Sequence, residues 1–177
     1  MWSPISPMDL TIRKATADDA PAAWSIRSEA IRHACNGFYA DDLLELWTAG
    51  DMPDGFVEFV VRQFYVAMAD GIVAGTGSIN LEDGKLDGIF VRPDMMGNGI
   101  GKRIVAFCEE LGRRAGLTSL RLEATLNAAP FYRRCGFVGD VIAVYRSPRG
   151  ISLDCFPMTK RIGETSSTLT GFGEQAR

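Results

Sequence analysis

The chain has 177 residues, of which 46% are hydrophobic and 23% charged, with a formal net charge of −3 and a pI near 5.2. This length and balance suit a single globular domain with a sizeable core. The acidic balance argues against a nucleic-acid partner, which usually presents a basic face to its ligand, and no apolar segment is long enough to cross a bilayer. We therefore predict no nucleic-acid partner and no membrane partner, and the acidic surface mildly favours cationic small molecules.

The cysteines are scattered along the chain and lack the spacing of metal ligands. None belongs to a C-x-x-C pair, and the cysteines are not accompanied by a set of histidine ligands, so we predict no metal site. A reduced chain in the cytoplasm is the simplest account of such thiols. The four are Cys35, Cys108, Cys135 and Cys155.

One domain is predicted over residues 8–162. Residues 1–7 have no basic region followed by an apolar run, so they are interpreted as a leader before Met8 rather than as a signal peptide. After Ile162 the composition turns to Gly, Ser, Thr and Glu without periodicity. Residues 163–177 are therefore predicted to form a flexible tail.

The first third of the chain is predicted to be mainly helical. A short strand at 10–13 is followed by the capping sequence Thr16-Ala-Asp-Asp19 and then by Pro21, which is typical of a helix start. Apolar residues recur at helical spacing after this point. Helices are predicted over 21–34, 40–47 and 53–60.

A three-stranded antiparallel meander is predicted next. Asp70-Gly71 is a two-residue hairpin signal, and residues 81–84 close a second hairpin. The three strands are predicted over 63–69, 72–80 and 86–91.

A strand–helix–strand crossover follows the meander. A helix is predicted over 99–115 and a strand over 118–126; such a crossover makes this strand parallel to the strand before the helix. A short helix and two further strands complete the domain, over 128–135, 137–145 and 151–160. The sum is an α/β fold with a mixed, mostly antiparallel sheet of six to seven strands and helices on both faces.

The glycine-rich stretch Met96-Gly-Asn-Gly-Ile-Gly-Lys102 joins a buried strand to the predicted helix at 99–115. The first turn of a helix has backbone N–H groups without intrahelical partners, and the helix dipole favours an anion there. Lys102 and Arg103 would oppose that dipole, so an anion that they help to bind explains them better. The pattern favours a phosphate site over a merely tight connection.

The spacing of this loop excludes two familiar nucleotide motifs. A P-loop needs glycine five residues before the Gly-Lys pair and Ser or Thr after it, but Met96 and Arg103 occupy these positions. The dinucleotide fingerprint needs G-x-G-x-x-G after the first strand of a βαβ unit, whereas this loop has G-x-G-x-G and follows three antiparallel strands.

The frame from Met96 to Gly101 resembles the [Gln/Arg]-x-x-Gly-x-[Gly/Ala] signature of the GNAT superfamily of acyl-CoA-dependent N-acetyltransferases. Met96 departs from the usual Gln or Arg. A second block, LEATLNAAPFYRRCGF from Leu122 to Phe137, resembles the strand, Asn and A-x-x-F-Y-x-x-x-G-F block of that family. The order of predicted elements also agrees, from Leu10 to about Arg161. The resemblance implies a GNAT-like sheet in which the one parallel pair of strands splays apart.

The resemblance also implies acetyl-CoA as cosubstrate, bound at the end of the strand before the loop, by the loop itself and by the second block. Backbone groups of the loop would hold the pyrophosphate, and the strand would meet the pantetheine arm. The cofactor-binding residues implied are Ile89, Phe90, Val91, Met96, Gly97, Asn98, Gly99, Ile100, Gly101, Lys102, Asn127, Phe131 and Tyr132.

Acyl transfer from a thioester to an amine needs a neutral amine, a stabilised oxyanion and a proton for the departing thiolate. Tyr132 occupies the position of the family's general acid. Many relatives have Glu where this chain has Lys85, so Asp87 and Glu123 are the remaining candidates for the base. Each of them is as well explained by a solvated or ion-paired carboxylate. On simple period-two alternation, Asp87 shares a strand face with Ile89.

The first two helices and their connection line the acceptor side in the family. The aromatic residues there are Trp24, Phe38, Tyr39 and Trp47, which either form core or shape an amine pocket. Around the last hairpin, Arg146 and Arg149 meet either an acidic substrate or only solvent.

The sequence therefore predicts an N-acetyltransferase that transfers acetyl from acetyl-CoA to a primary amine of a small molecule or a protein, by direct attack in a ternary complex. The alternative is a module of the same fold that binds acyl-CoA without catalysis, as a sensor or interaction domain. An NTP-binding domain is disfavoured by the loop spacing. Family analogy makes a homodimer that pairs through the last strands plausible.

Overall fold

A seven-stranded sheet forms the centre of residues 9–163, which are the residues that the computed structural model describes. The predicted leader and residues 164–177 of the predicted tail lie outside this range. The strands are β1 (Leu10–Lys14), β2 (Phe64–Ala69), β3 (Ile72–Asn80), β4 (Lys85–Val91), β5 (Ser119–Thr125), β6 (Ala143–Arg146) and β7 (Ser152–Arg161). Their order in the sheet is β1-β2-β3-β4-β5-β7-β6.

Helices cover both faces of this sheet. They are α1 (Ala20–Ala34), α2 (Asp41–Thr48), α3 (Phe56–Gln63), α4 (Ile100–Arg114) and α5 (Ala129–Arg134). In α4 the buried residues Ile100, Ile104, Val105 and Cys108 recur at helical spacing, so the helix presents an apolar stripe to the sheet. The helices before β2 cover the opposite face with two smaller apolar clusters. The predicted fold class is confirmed.

Strands β4 and β5 are the one parallel pair, and they separate almost at once. Their paired position is Lys85 with Arg121, beside a hydrogen bond from the Arg121 N–H to the Gly84 carbonyl at 3.0 Å. The other neighbouring strands of the sheet are antiparallel, including the predicted meander of β2, β3 and β4. The separation of β4 from β5 opens the sheet towards the carboxyl ends of both strands.

A β-bulge in β4 reverses its alternation. Thr76 pairs with Phe90 and Ser78 with Asp87, so β4 has one more residue than β3 between these pairs. Gly88 lies there with φ +56°, and a Cβ on it would lie 2.9 Å from the ring of Phe64. The expectation that Asp87 shares a face with Ile89 is therefore wrong, because the extra residue turns Asp87 to the face that carries Phe90.

The sixth strand is shorter than predicted. It was expected over 137–145, but after a single bridge from Val138 to Thr159 the chain leaves the sheet and rejoins it only at Ala143, opposite Cys155. Between these two pairs, β7 carries Pro157, which has no N–H to donate. The N–H of Thr159 donates to the Val138 carbonyl, so it points towards the β6 side of β7. Backbone N–H groups two residues apart on a strand point to the same side, so the N–H that Pro157 lacks would also have faced β6.

The third helix also differs from its expected position. It begins at Phe56 rather than at Pro53, because Gly55 precedes it in a left-handed conformation with φ +81°. Among residues 9–163, no helix combines the length and the apolar character that a bilayer crossing requires.

Candidate active site

A cleft of about 880 Å³ opens where β4 and β5 separate. One side is formed by the end of β4, the glycine-rich loop and the first turn of α4. Residues of α1, α5 and the turn between β6 and β7 also line it. The carboxyl ends of parallel strands at a break in a sheet are a common position for a ligand site.

The glycine-rich loop presents a run of unpaired backbone donors to this cleft. Gly97 and Gly99 adopt φ values of +82° and +75°, with open space where a Cβ would lie. Among the described residues, the six N–H groups of residues 97–102 have no hydrogen-bond acceptor, whereas the Arg103 N–H bonds to the Gly99 carbonyl at 3.1 Å. Such a run at the N-terminus of a 15-residue helix has the chemistry of an anion site.

The cations at the start of α4 have different roles. Lys102 is exposed at the rim of the cleft. Arg103 instead donates from its guanidinium to the Leu10 carbonyl at 2.9 Å, so it fastens α4 to β1. The expectation that both cations help to bind an anion therefore holds only for Lys102, because Arg103 has a partner in β1.

Most of the predicted site residues border this one cleft. The exception is Asn98, whose side-chain amide donates to the Met95 carbonyl at 3.0 Å and so stabilises the loop itself. The residues that border the cleft are Asp87, Ile89, Phe90, Val91, Met96, Gly97, Gly99, Ile100, Gly101, Lys102, Glu123, Asn127, Phe131 and Tyr132.

Tyr132 is buried on α5, with its ring packed edge-on against Phe131 and Phe137 at centroid distances of 5.0 and 5.9 Å. Its hydroxyl makes no hydrogen bond to any other described residue, although the residue borders the cleft. Burial raises the pKa of Tyr132 above its ordinary value, and the charge of Asp87 adds to that effect. The phenol is therefore protonated at neutral pH and has its proton available for a ligand.

Two carboxylates share one cation on the floor of the cleft. The Lys85 ammonium lies 3.3 Å from Glu123 and 3.9 Å from Asp87. Desolvation raises the pKa of Asp87, and the charge of Lys85 opposes that effect. The Asp87 side chain is 56% exposed, but the surface it exposes faces into the cleft, where the surrounding walls limit its hydration.

Asn127 lies where β5 ends, in a small polar network. Its side-chain oxygen accepts a hydrogen bond from the Cys35 thiol at 3.2 Å. Beside it, the Tyr39 hydroxyl accepts from the Leu126 N–H at 3.0 Å and donates to the Asp154 carbonyl at 2.6 Å. These contacts fix the end of β5 against β7 beside the cleft.

The half of the cleft that is predicted to receive the acceptor contains residues that the sequence did not bring together. Of the aromatic residues predicted on this side, Trp24 and Trp47 border the cleft, while Phe38 is 54% exposed. Tyr145 and the guanidinium groups of Arg27 and Arg149 also border it. Helical spacing places Arg27 on the cleft side of α1, but no local pattern links it to a turn so far along the chain.

Comparison with known proteins gives a family match over the central part of the chain, which contributes the glycine-rich loop and α5 to this cleft. Residues 61–139 match the family model described as the acetyltransferase (GNAT) domain. This segment runs from the end of α3 past α5, so it includes the loop, Asn127 and Tyr132.

A relative and two solved structures agree with this match. The IAA acetyltransferase of Azospirillum brasilense is 35% identical to this chain over 82 residues. The alignment covers 42% of this chain and 54% of that relative, so the chain matches about half of the relative's length. The GCN5-related N-acetyltransferase of Rhodopseudomonas palustris aligns with a TM-score of 0.80 at 24% identity, covering 90% of this chain and 99% of its own. YncA of Salmonella typhimurium, a putative acetyltransferase solved with acetyl-CoA, aligns with a TM-score of 0.65 at 19% identity, covering 90% and 97%.

The structural likenesses at such identities concern the fold. The family model and the fold agree on the same elements, from the meander through the glycine-rich loop to α5. In residues 61–139 and in its overall fold, the chain is similar to GNAT acetyltransferases.

Proposed function

We propose that this protein is an N-acetyltransferase that transfers the acetyl group of acetyl-CoA to a primary amine of a small molecule or a protein. The observation that carries the proposal is the run of unpaired N–H groups at residues 97–102, placed at the open end of the β4–β5 cleft. Its chemistry suits the pyrophosphate of coenzyme A, with Lys102 at the rim as an added cation.

The edge of β4 supports a site for the pantetheine arm. Ile89, Phe90 and Val91 lie beyond the position at which β4 pairs with β5, so their backbone groups on that side have no strand partner. An extended amide chain can hydrogen-bond to such an edge as a further strand would. Phe131 lies across the loop, with its ring close to Gly101, and closes that side of the channel.

The reaction is direct attack of the amine on the thioester carbonyl in a ternary complex. The C–N bond forms as the C–S bond breaks, the thiolate leaves, and the amine loses one proton. Tyr132 donates its phenolic proton to the departing sulfur, which suits a hydroxyl that is protonated at neutral pH and otherwise unpaired. Asp87 or Glu123, on the floor of the same cleft, accepts the proton of the amine.

Isothermal titration with CoA and with acetyl-CoA tests the binding step, and thiol release with a panel of amines tests transfer. We expect micromolar binding of both nucleotides and amine-dependent release of CoA. Absence of binding by either one would overturn the proposal.

A second candidate function is a non-catalytic acyl-CoA sensor or interaction module. The observation that favours it is the ion pairing of Lys85, which stands where many relatives have Glu and which engages both carboxylates. Such a module would bind acetyl-CoA with no thiol release for any amine, and Tyr132→Phe would leave its behaviour unchanged.

Two further features bear on partners and location. All four cysteines are free thiols in the described part of the chain, which favours a reducing compartment such as the cytoplasm. Exposed apolar residues surround the edge strand β6, which supports a homodimer that pairs through the last strands. They are Val138, Val141, Ile142 and Val144.

A further inference from the structure

Two guanidinium groups lie together in the acceptor half of the cleft. Arg27 comes from α1, and Arg149 comes from the turn between β6 and β7. Both lie over the ring of Trp24, with 4.8 Å from the Arg27 guanidinium carbon to the ring centroid and 5.9 Å from that of Arg149. Elements distant in sequence thus place two positive charges on one aromatic surface.

The protein leaves much of their hydrogen-bonding capacity unused. Among residues 9–163, Arg27 donates only to the Trp47 carbonyl, through two long bonds of 3.3 and 3.4 Å. Arg149 donates to the same oxygen at 3.3 Å and to the Ala49 carbonyl. A carbonyl oxygen has two lone pairs and a guanidinium has five N–H donors, so one shared oxygen cannot satisfy both groups.

Capping of helix α2 does not account for this arrangement. The end of α2 already has a dedicated partner, because Arg32 donates to the Thr48 hydroxyl at 2.9 Å and to the Thr48 carbonyl at 3.3 Å. One further arginine would be enough for the Trp47 carbonyl. The second guanidinium therefore needs another explanation.

The pair also lacks a counter-ion. Among the described residues, neither arginine has a carboxylate within 4.0 Å. Desolvation, and then repulsion from Arg149, lower the pKa of Arg27 to about 10, with Tyr145 and Asp87 partly offsetting them. Arg27 is still charged at neutral pH, so an anion that enters the cleft would relieve the repulsion between the two cations.

We propose that Arg27 and Arg149 bind the carboxylate of the acceptor, which makes the acceptor a free amino acid rather than a simple amine or a polypeptide N-terminus. The planar fork of a guanidinium matches the two oxygens of a carboxylate. This inference rests on the proposed function and specifies its substrate class.

The other groups of the cleft complement the rest of an amino acid. Asp87 on β4 and Tyr132 on α5 both border the cleft. They are the proposed base and acid, so the amine of the acceptor would meet the thioester beside them. Trp24, Phe56 and Phe59 form an apolar wall beside the arginines. An acceptor with an apolar side chain would therefore place its amine, carboxylate and side chain against matching surfaces.

The test compares acids with their amides as ligands of the CoA-bound protein. The probes are N-acetyl-L-phenylalanine, N-acetyl-L-leucine and N-acetyl-L-methionine with their C-terminal amides, titrated by calorimetry at saturating CoA. We expect at least one acid to bind about 10- to 100-fold more tightly than its amide, the difference that charge-assisted hydrogen bonds produce. Equal affinity of each acid and its amide, or no binding of any acid, overturns the inference.

Variants locate the discrimination. In Arg27→Gln and Arg149→Gln the preferred acid should lose about 10-fold in affinity while its amide changes less than about 2-fold. Arg146→Gln is the matched control, because Arg146 is an exposed arginine at the end of β6 that does not border the cleft. Retention of the acid preference in the double variant Arg27→Gln/Arg149→Gln overturns the assignment to these residues.

The proposed function fails separately from this inference. Titration of CoA alone reports on the cosubstrate site, and the acid–amide comparison reports on the arginine pair. Normal CoA binding with thiol release from amino acid amides would overturn the carboxylate inference and leave N-acetyl transfer intact.

Discussion

The Lys85 ammonium lies 3.3 Å from the Glu123 carboxylate and joins β4 to β5 next to the one position where these strands pair. Asp87 lies 3.9 Å from the same ammonium. Glu123 is therefore held more closely by the Lys85 ammonium than Asp87 is. Burial raises the pKa of Asp87, which makes its carboxylate a stronger base. We therefore infer that Asp87 is the better placed of the two to take a proton from the amine.

The first prediction concerns this base. A carboxylate base is inactive while protonated, so kcat/KM should rise with pH through the pKa of Asp87, which lies above 3.8. Asp87→Asn should remove that limb and lower kcat/KM about 100-fold. Glu123→Gln should keep the limb and lose less than about 5-fold. The pH–rate profile of thiol release measures both, and an unchanged limb in Asp87→Asn would contradict the assignment.

The second prediction concerns the acid. Tyr132→Phe removes one hydroxyl and should lower kcat about 100-fold, with less than about 3-fold change in the KM for acetyl-CoA. Tyr65→Phe is the control, since Tyr65 packs against Phe107 and does not border the cleft. Steady-state kinetics at saturating amine separate the two constants. If both variants turn over like the parent protein, Tyr132 is not the acid.

The third prediction concerns the loop. Gly99→Ala places a Cβ at φ +75° directly among the unpaired N–H groups, so it should raise the Kd for CoA about 10-fold and cost about 1 kcal/mol of folding stability. Gly116→Ala has the same kind of backbone, φ +81° with open space, at the other end of α4. The control should lose similar stability in a thermal melt and bind CoA normally by calorimetry. Equal losses of CoA affinity would argue against an anion site at the loop.

The fourth prediction concerns folding and pH. The Asp19 carboxylate accepts bonds from Arg13 at 2.8 and 3.0 Å and from the Thr16 N–H at 2.7 Å, and the Arg13 contact chiefly lowers its pKa from 3.8 to about 2. A depressed carboxyl pKa contributes stability above about pH 4, and that contribution disappears as pH falls towards 2.

Asp19→Asn should therefore lower the free energy of unfolding at pH 7 by about 1 kcal/mol, because the half-exposed Arg13 is screened by solvent. The deficit should be mostly lost by pH 2. Urea titrations at both pH values measure it, with the exposed Asp18→Asn as control. A deficit of the same size at pH 2 would show that the ion pair is not its source.

The fifth prediction concerns self-association. Val141 is 73% exposed beside the edge strand β6, so Val141→Asp should convert a dimer into a monomer if this edge forms the interface. Leu46→Asp changes an equally apolar residue on α2, 62% exposed, and should leave the mass unchanged. Light scattering after gel filtration reports the mass. A monomeric parent protein would rule out this pairing.

Local patterns predicted most of the architecture. Asp70-Gly71 defines a hairpin by its backbone preference alone, and the apolar stripe of α4 follows from helical periodicity. The crossover from β4 to β5 had to be parallel, since a helix separates the two strands. The glycine-rich loop could be located because its spacing excludes other phosphate loops and resembles a known signature.

Features that depend on distant residues could not be predicted in this way. The bulge at Gly88 arises where the strand packs on Phe64, so simple alternation assigned Asp87 to the wrong face. The late start of β6 depends on Pro157 of the neighbouring strand. Arg27 and Arg149 meet only because the fold brings α1 and the last hairpin to one cleft.

The single paired position between β4 and β5 has a mechanical consequence. Strands β1 to β4 form one hydrogen-bonded block and β5, β7 and β6 another, and the backbone ladder connects the blocks only at Lys85 and Arg121. In the described chain, backbone pairing therefore joins the two blocks at one end of the cleft, and α4 connects β4 to β5. A ligand seated along the free edge of β4 would couple the two blocks, so that occupancy of the cleft stiffens strands it never touches.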